Sequence, residues 1–321
     1  YKMKKILITG CAGFIGFHLS KLLLDKKNIV IGIDNVNNYY SIKLKEHRLK
    51  ILLGYKNFIF KKYDIADFQS LDKIFIKNKF DIIINLAAQA GVGYSMKFPE
   101  KYFNSNIQGF FNICNLAKKY KIKKVLYASS SSVYGDNKSL PVKEIYKTNP
   151  LNYYAISKEN NEKTAEFFSK IGNTRFIGFR FFSIYGPYGR PDMLIYKLLN
   201  CHEKKEIFYL NNNGNHTRDF TYIDDVISII YNLINKRLSK KSEIFNISNT
   251  KMIKLKTLIN LMSEKNIKPS IKMRGFQKGD IKDACGNNIK IRKILKNQKF
   301  TPFEIGLDKT LYWYKNNKKI F

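Results

Sequence analysis

Two short stretches carry groups suited to acid–base work on an alcohol. Ser129-Ser130-Ser131-Ser132-Val133-Tyr134-Gly135 sets four hydroxyls in a row, and Tyr153-Tyr154-Ala155-Ile156-Ser157-Lys158 sets a phenol four residues before an ammonium. On a helix that spacing puts Tyr154 and Lys158 on one face. A nearby cation favours the phenolate. Bringing a tyrosine from about 10 to about 7 takes about 4 kcal/mol, which an ammonium and one further positive charge supply in a partly dry site. The spacing itself is cheap in a lysine-rich chain: Tyr-x-x-x-Lys begins at Tyr1, Tyr39, Tyr120, Tyr134, Tyr154 and Tyr314. Of these, the Tyr154 pair follows a serine-rich strand end and opens a helix. Position singles it out.

A second chemical stretch lies near the start. Lys4-Lys5-Ile6-Leu7-Ile8-Thr9-Gly10-Cys11-Ala12-Gly13-Phe14-Ile15-Gly16 reads as a buried strand, three glycines at three-residue spacing, and a helix over residues 14–26. A strand turning sharply into a helix points unpaired N–H groups and the positive dipole end outward. Glycine lets a pyrophosphate approach that backbone. A second strand, residues 28–33, ends in Asp34, whose carboxylate suits a ribose 2′-hydroxyl and repels a 2′-phosphate. The order strand, glycines, helix, strand, acid points to NAD. Cys11 reads as a small filler in the turn.

The elements that must position these groups alternate along the first half. Further strands are expected at residues 57–60, 81–86, 123–128 and 174–181, with helices at 67–77, 98–120 and 151–171. The pattern is that of an α/β protein with a doubly wound parallel sheet. Beyond Phe182 the rhythm loosens into turn-rich segments, with helices expected at 223–235, 255–264 and 303–314. Residues 275–286 form a long featureless stretch, expected to loop over the substrate.

Composition excludes several classes. The 321 residues carry 58 Lys+Arg against 25 Asp+Glu, a formal +33. The lysines are scattered with no basic tail or nucleic-acid motif, so the charge reads as a solvated surface that also helps gather an anionic substrate. The four cysteines and four histidines fall in no metal spacing, which favours a reduced, metal-free, cytoplasmic protein. Residues 2–24 have the basic-then-apolar order of a secretory leader, yet the regular glycines argue against one, and Tyr1-Lys2 ahead of Met3 reads as an added remnant. No apolar run reaches membrane-spanning length.

With these motifs the chain resembles the extended short-chain dehydrogenase/reductase family over nearly its whole length. It looks most like the nucleotide-sugar epimerases, and among them the UDP-glucuronate 4-epimerases. Further matching motifs are Asp34-Asn35, Leu86-Ala87-Ala88-Gln89-Ala90-Gly91-Val92, Arg180-Phe181-Phe182-Ser183-Ile184-Tyr185-Gly186-Pro187, Gly189-Arg190-Pro191-Asp192-Met193, Arg218-Asp219-Phe220-Thr221-Tyr222-Ile223-Asp224-Asp225, and Gln277 with Gly279-Asp280.

The resemblance implies a Rossmann-like NAD-binding domain over residues 1–182. A smaller α/β substrate domain, with some elements returning to the first, would cover residues 183–321. It implies catalysis by Tyr154, Ser130 and Lys158 through a transient 4-keto sugar, with NAD regenerated in each cycle. Gly10, Gly13, Phe14, Ile15, Gly16, Asp34, Asn35, Asp64, Ile65, Leu86, Ala87, Ala88, Gln89 and Phe181, with Tyr154 and Lys158, would bind NAD. Ser130, Ser131, Ser183, Arg190, Arg218, Gln277 and Asp280 would meet the UDP-sugar. A homodimer built on helices 98–120 and 151–171 is also implied.

Two departures bear on the substrate. Ser131 and Ser132 stand where related dehydratases and decarboxylases carry an acid, which disfavours those reactions. Gly93 stands where the glucuronate enzymes carry arginine, in Ala90-Gly91-Val92-Gly93-Tyr94-Ser95. UDP-glucuronate to UDP-galacturonate leads; UDP-glucose or UDP-N-acetylglucosamine is the alternative, and a non-catalytic NAD- or RNA-binding protein the remote one. Phe181, Phe182 and Tyr185 also suit a plain core, Arg218 an ion pair with Asp219, and Arg190 a surface charge.

Overall fold

Short runs of isoleucine, valine and leucine become strands covered on both faces. The computed structural model describes residues 3–276 and 281–320. Its first half runs Lys5–Thr9 (β1), Phe14–Asp25 (α1), Ile29–Ile33 (β2), Ile42–Leu53 (α2), Phe58–Lys61 (β3), Phe68–Lys77 (α3) and Ile82–Asn85 (β4). There follow Val92–Lys97 (α4), Pro99–Tyr102 (α5), a π-helical turn Phe103–Gln108, Gly109–Lys119 (α6), Lys124–Ser130 (β5), Tyr153–Ile171 (α7) and Arg175–Phe181 (β6).

The second half is more broken. It comprises Ser183–Tyr185 (β7), Leu194–Lys204 (α8), Ile207–Leu210 (β8), Thr217–Tyr222 (β9), Ile223–Asn235 (α9), Ser242–Ile247 (β10), Met252–Lys254 (β11), Leu255–Glu264 (α10), Ser270–Met273 (β12), Ile289–Ile294 (α11) and Phe303–Asn317 (α12).

The main sheet has seven parallel strands in the order β10-β6-β5-β4-β1-β2-β3. Chain order reverses between β1 and β4, so the loops leaving them part and open a crevice at the carboxyl edge. Small sheets β11-β9-β7 and β12-β8 stand beside it. Ile6, Ile8, Ile82 and Ile84 belong to the core cluster on one face of the main sheet, and Leu7, Ile83 and Val125 to that on the other.

The expected strands and helices of the first half are present, shifted by a few residues at their ends. The helix expected over 98–120 is instead α5, the π turn and α6. That turn widens the coil and carries Asn106 into the interior, where it is 1% exposed. In the first half the sequence reading missed α2 and the short α4, and in the second half it missed α8, α11 and every strand from β7 to β12. In α2 the buried face includes Lys45 and Arg48 beside Leu44, Leu49 and Leu52, so it shows no clean apolar stripe. No helix among the described residues is long and apolar enough to cross a membrane.

A buried ion pair locks the sheet to α7. Arg180 on β6 donates from Nε to Glu162 Oε1 at 2.8 Å and from Nη2 to Oε2 at 2.7 Å, while Ser129 Oγ donates to Oε1 at 2.6 Å. Both side chains are well under a tenth exposed. The guanidinium also lies 4.6 Å from the centre of the Tyr134 ring. Removing one partner strands the other's charge. Arg180→Met is expected to cost about 3–5 kcal/mol in urea unfolding, and adding Glu162→Leu should recover most of that loss.

Candidate active site

At the end of β1 the backbone turns through Gly10, whose φ of +73° suits glycine. A Cβ there would sit 2.7 Å from Ala87 N, and one at Gly16 would sit 2.0 Å from Gly10 O. Neither space exists, so both positions demand glycine. Gly13 caps α1 without any side-chain bond. The N–H groups of the helix's first turn therefore lack both an intrahelical partner and a side-chain cap. Thr9 Oγ1 donates to Asn85 Oδ1 at 2.7 Å and accepts from Ala87 N at 3.2 Å, tying the exits of β1 and β4 together.

Asp34, at the end of β2, faces this turn. Its Oδ2 accepts from Ala12 N at 3.0 Å and its Oδ1 from Val36 N at 2.8 Å. Burial pushes its pKa up, against those bonds and against Lys45 and Arg48. Asn35 Nδ2 donates to Asp64 Oδ2 at 2.8 Å, joining two more expected cofactor residues. Uncapped helix start, glycine cradle and half-buried acid fit the dinucleotide that the order of elements pointed to.

The catalytic candidates come from β5 and α7. Asn152 caps α7, its Oδ1 accepting from Ala155 N at 2.9 Å. Tyr154 thus lies in the first turn, and Lys158 one turn on. The π turn holds this helix in place: Asn106 Nδ2 donates to Ser157 Oγ at 2.9 Å and to Gln89 O at 3.0 Å, and its Oδ1 accepts from Gln89 N at 2.7 Å. Ser130 ends β5, and its Oγ accepts from Ser132 N at 3.2 Å.

The electrostatics correct one expectation. The Tyr154 phenol is pushed up by burial, and the groups pulling it back are Ser130 and Arg190. Lys158 Nζ lies 6.0 Å from the ring and donates to Ala128 O at 2.9 Å. Burial lowers Lys158 itself to about 8. The lysine is anchored on the strand rather than on the phenol.

One cleft of about 440 Å³ gathers these groups. It is lined by all of the expected cofactor residues, Gly10, Gly13, Phe14, Ile15, Gly16, Asp34, Asn35, Asp64, Ile65, Leu86, Ala87, Ala88, Gln89, Phe181, Tyr154 and Lys158. Ser130, Ser131, Ser183, Arg190 and Arg218 line it too. Gln277 and Asp280 lie outside the described residues, but Ile281 and Ala284, from the stretch expected to loop over the substrate, reach the wall. A second cleft of about 370 Å³ adjoins it, sharing Ser183, Ile184, Met193 and Arg218.

Arg190 is a cleft residue, held by Asp192 through bonds of 2.9 and 2.5 Å. Arg218 donates to Thr217 O and Lys282 O, while the Asp219 carboxylate accepts from the backbone N–H groups of Asn249, Thr250 and Gly286. Phe181, Phe182 and Tyr185 are core aromatics, although the first two also touch the cleft. Sequence reasoning missed Tyr39, Tyr40 and Lys45, which line the cleft from α2 and the loop before it. The loop's density of Asn and Tyr was the available signal.

Residues 6–248 match the model of the NAD dependent epimerase/dehydratase family. The chain belongs to that family. It is 45% identical over 240 residues to the protein CapI of Staphylococcus aureus, covering 74% of this chain and 72% of that one. It is 35% identical over 320 residues to the UDP-glucuronate 4-epimerase of Thermodesulfobacterium geofontis, covering 97% and 96%. The structure of UDP-glucuronic acid 4-epimerase from Bacillus cereus, in complex with UDP-glucuronic acid and NAD, superposes with a TM-score of 0.90. It is 28% identical and covers 98% of this chain and 99% of that one. Like the family, this protein is NAD-dependent.

Two outcomes test the site's construction. Gly16→Ala should purify with at least about tenfold less bound NAD, read by absorbance after acid release, because α1 must move off the turn. Burial raises Asp219 to about 6, above the ordinary carboxyl near about 3.9. The folded chain then holds the extra proton between those values, so stability falls as pH rises from about 4 to about 6 and is level above. Relative to Asp219→Asn, the wild type should lose about 3 kcal/mol across that window in urea titrations.

Proposed function

We propose that this protein is a UDP-sugar 4-epimerase that converts UDP-glucuronate to UDP-galacturonate. The observation that carries the reading is that one cleft is lined both by the glycine turn and by Tyr154, Ser130, Lys158, the serine run and Arg190. When bound, NAD supplies a hydride acceptor that returns the hydride within the same cycle.

Tyr154 takes the proton of the sugar 4-hydroxyl, and Ser130, on the same cleft wall, shares and relays it. Lys158 keeps two further N–H groups beyond the one given to Ala128 O, enough to hold ribose hydroxyls. Ser131, Ser132 and Ser183 offer hydroxyl donors to a sugar carboxylate, and Arg190 offers charge. A 4-keto uronate is a β-keto acid that loses CO₂ readily, so firm seating of that carboxylate protects the intermediate.

The adjoining cleft suits the nucleotide. Tyr185, Leu194, Phe208 and Phe220 give it apolar walls, and Arg218 stands where the two clefts meet. A planar base would pack on those walls with the diphosphate at the guanidinium. On this reading residues 1–182 bind mainly NAD, and residues 183–321 mainly the sugar nucleotide. Phe103, Phe111, Ile156 and Phe167 leave apolar surface exposed on the α5–α6 rod and α7, which supports a homodimer through those helices. Free thiols at Cys11, Cys114, Cys201 and Cys285 suit the reducing cytosol. UDP-glucose or UDP-N-acetylglucosamine is the second reading. Gly93 favours it, since no atom lies within 4 Å of a Cβ built there and it lies off the cleft wall.

The test is turnover of UDP-glucuronate without added NAD, with separation of the sugar nucleotides. A UDP-galacturonate product is expected, and Tyr154→Phe should lower kcat by about a thousandfold with NAD still bound. Product from UDP-glucose or UDP-N-acetylglucosamine alone would move the substrate to the second reading. Inertness toward all three sugars after NAD is supplied would overturn the function.

A further inference from the structure

Arg48, on α2, is 0% exposed, yet its bonds are to neutral oxygens. Nη1 donates to Ala12 O at 2.7 Å and to Tyr40 Oη at 2.8 Å, and Nη2 donates to Tyr188 O at 2.5 Å. Nε lacks a hydrogen-bond partner. Ala12 belongs to the glycine turn of the cofactor site. Tyr188 belongs to the loop that carries Arg190. One planar cation therefore bridges the two, standing 36 residues from Ala12 and 140 from Tyr188 in sequence.

The loop it grips is strained. Tyr188 has a φ of +58°, a left-handed conformation that a bulky residue keeps only when its surroundings hold it. Its ring is packed by Phe17, His18 and Trp313, at centroid distances of 4.8, 5.8 and 4.4 Å. Two further contacts cross the same gap. His18 Nε2 lies 2.9 Å from Pro187 O, and burial lowers that imidazole to about 4, so it stays neutral. Tyr39 Oη donates to Asp192 Oδ2 at 3.1 Å, the carboxylate that holds Arg190.

A buried cation with no carboxylate bonded to it is costly even with Asp34 nearby, and a leucine would fill an α2 core position more cheaply. The guanidinium offers what leucine lacks: a rigid fork that fixes two carbonyls from separate loops at a set distance. We propose that Arg48 is a positioning residue, which ties the cofactor's glycine turn to the strained 187–192 loop and so aligns Arg190 on the reacting sugar. This rests on the reading that Arg190 faces the sugar. Arg48 itself acts through the loop.

NAD-loaded wild type, Arg48→Lys and Arg48→Met are compared by two measurements. Trp313 is the chain's sole tryptophan and packs against Tyr188, so acrylamide quenching of its fluorescence reports the loop directly. Quenching is expected to rise about twofold in both variants, because lysine's single point donor cannot span both carbonyls. KM for the UDP-sugar should rise about tenfold or more while the NAD content and the pH profile of kcat stay as in the wild type. A lower melting temperature with wild-type quenching and KM would leave Arg48 a packing residue and overturn the proposal. Should Arg48→Met fail to fold, Arg48→Lys gives both readings. A wild type inert toward every UDP-sugar defeats the functional reading alone, and equal quenching in the folded proteins then overturns the role of Arg48.

Discussion

No side chain fits between α1 and the turn that precedes it. A Cβ on Gly16 would fall 2.0 Å from Gly10 O, and one on Gly10 would strike the backbone of Ala87. This contact brings the start of a helix against the exits of two parallel strands, where the chain order of the sheet reverses. Other features of the cleft are arranged relative to it. β2 must end where Asp34 can reach Ala12 N, and β4 must leave beside Thr9. A family built on this turn can vary its distant loops freely, but not these glycines.

Close packing at one edge leaves the other components to be held by polar side chains, because loops leaving a parallel sheet have no ladder of their own. Asn106 does this for β4 and α7, reaching Gln89 and Ser157 from the widened π turn. Glu162 does it for β5 and β6, taking Ser129 and Arg180 on one carboxylate. Tyr154, Lys158 and Glu162 follow one another at four-residue intervals on α7. One stripe of that helix therefore carries the candidate proton-transfer groups at one end and structural anchoring at the other.

This division explains what was legible in the sequence. Strands β1, β2, β4, β5 and β6 announce themselves because burial on both faces requires apolar runs such as Ile82-Ile83-Ile84, whereas β3 lies at the sheet edge with Ile59 exposed. The glycine turn is legible because close packing dictates its spacing, and the Tyr154 pair because it follows a serine-rich strand end and opens a helix. Helix α2 was hidden because its buried face spends two positions on Lys45 and Arg48, which erase the apolar stripe. The π turn was hidden because it differs from an α-helix by one residue of register, not by composition. The anchor of Lys158 was hidden for a different reason. Spacing placed the lysine beside the phenol, whereas the bond to Ala128 O depends on how α7 lies across β5.

The buried cations show how the net charge divides. Most of the lysines are exposed and solvated, but Lys45, Arg48, Lys158 and Arg180 are all nearly or fully buried. Arg180 is neutralised by Glu162. Lys45 is held by Asn37 O and Oδ1, and Lys158 by Ala128 O, which solvates a cation without cancelling its charge. Burial consequently draws both lysines down to about 8, even though Asp34 partly offsets it at Lys45. Both line the same cleft. An anion entering there would raise both pKa values, and each lysine would take up the fraction of a proton it lacks near pH 8. The protein thus carries, inside its cleft, positive charge that its own carboxylates leave uncompensated, and the complement it lacks is the phosphate-bearing ligand for which the glycine turn is shaped.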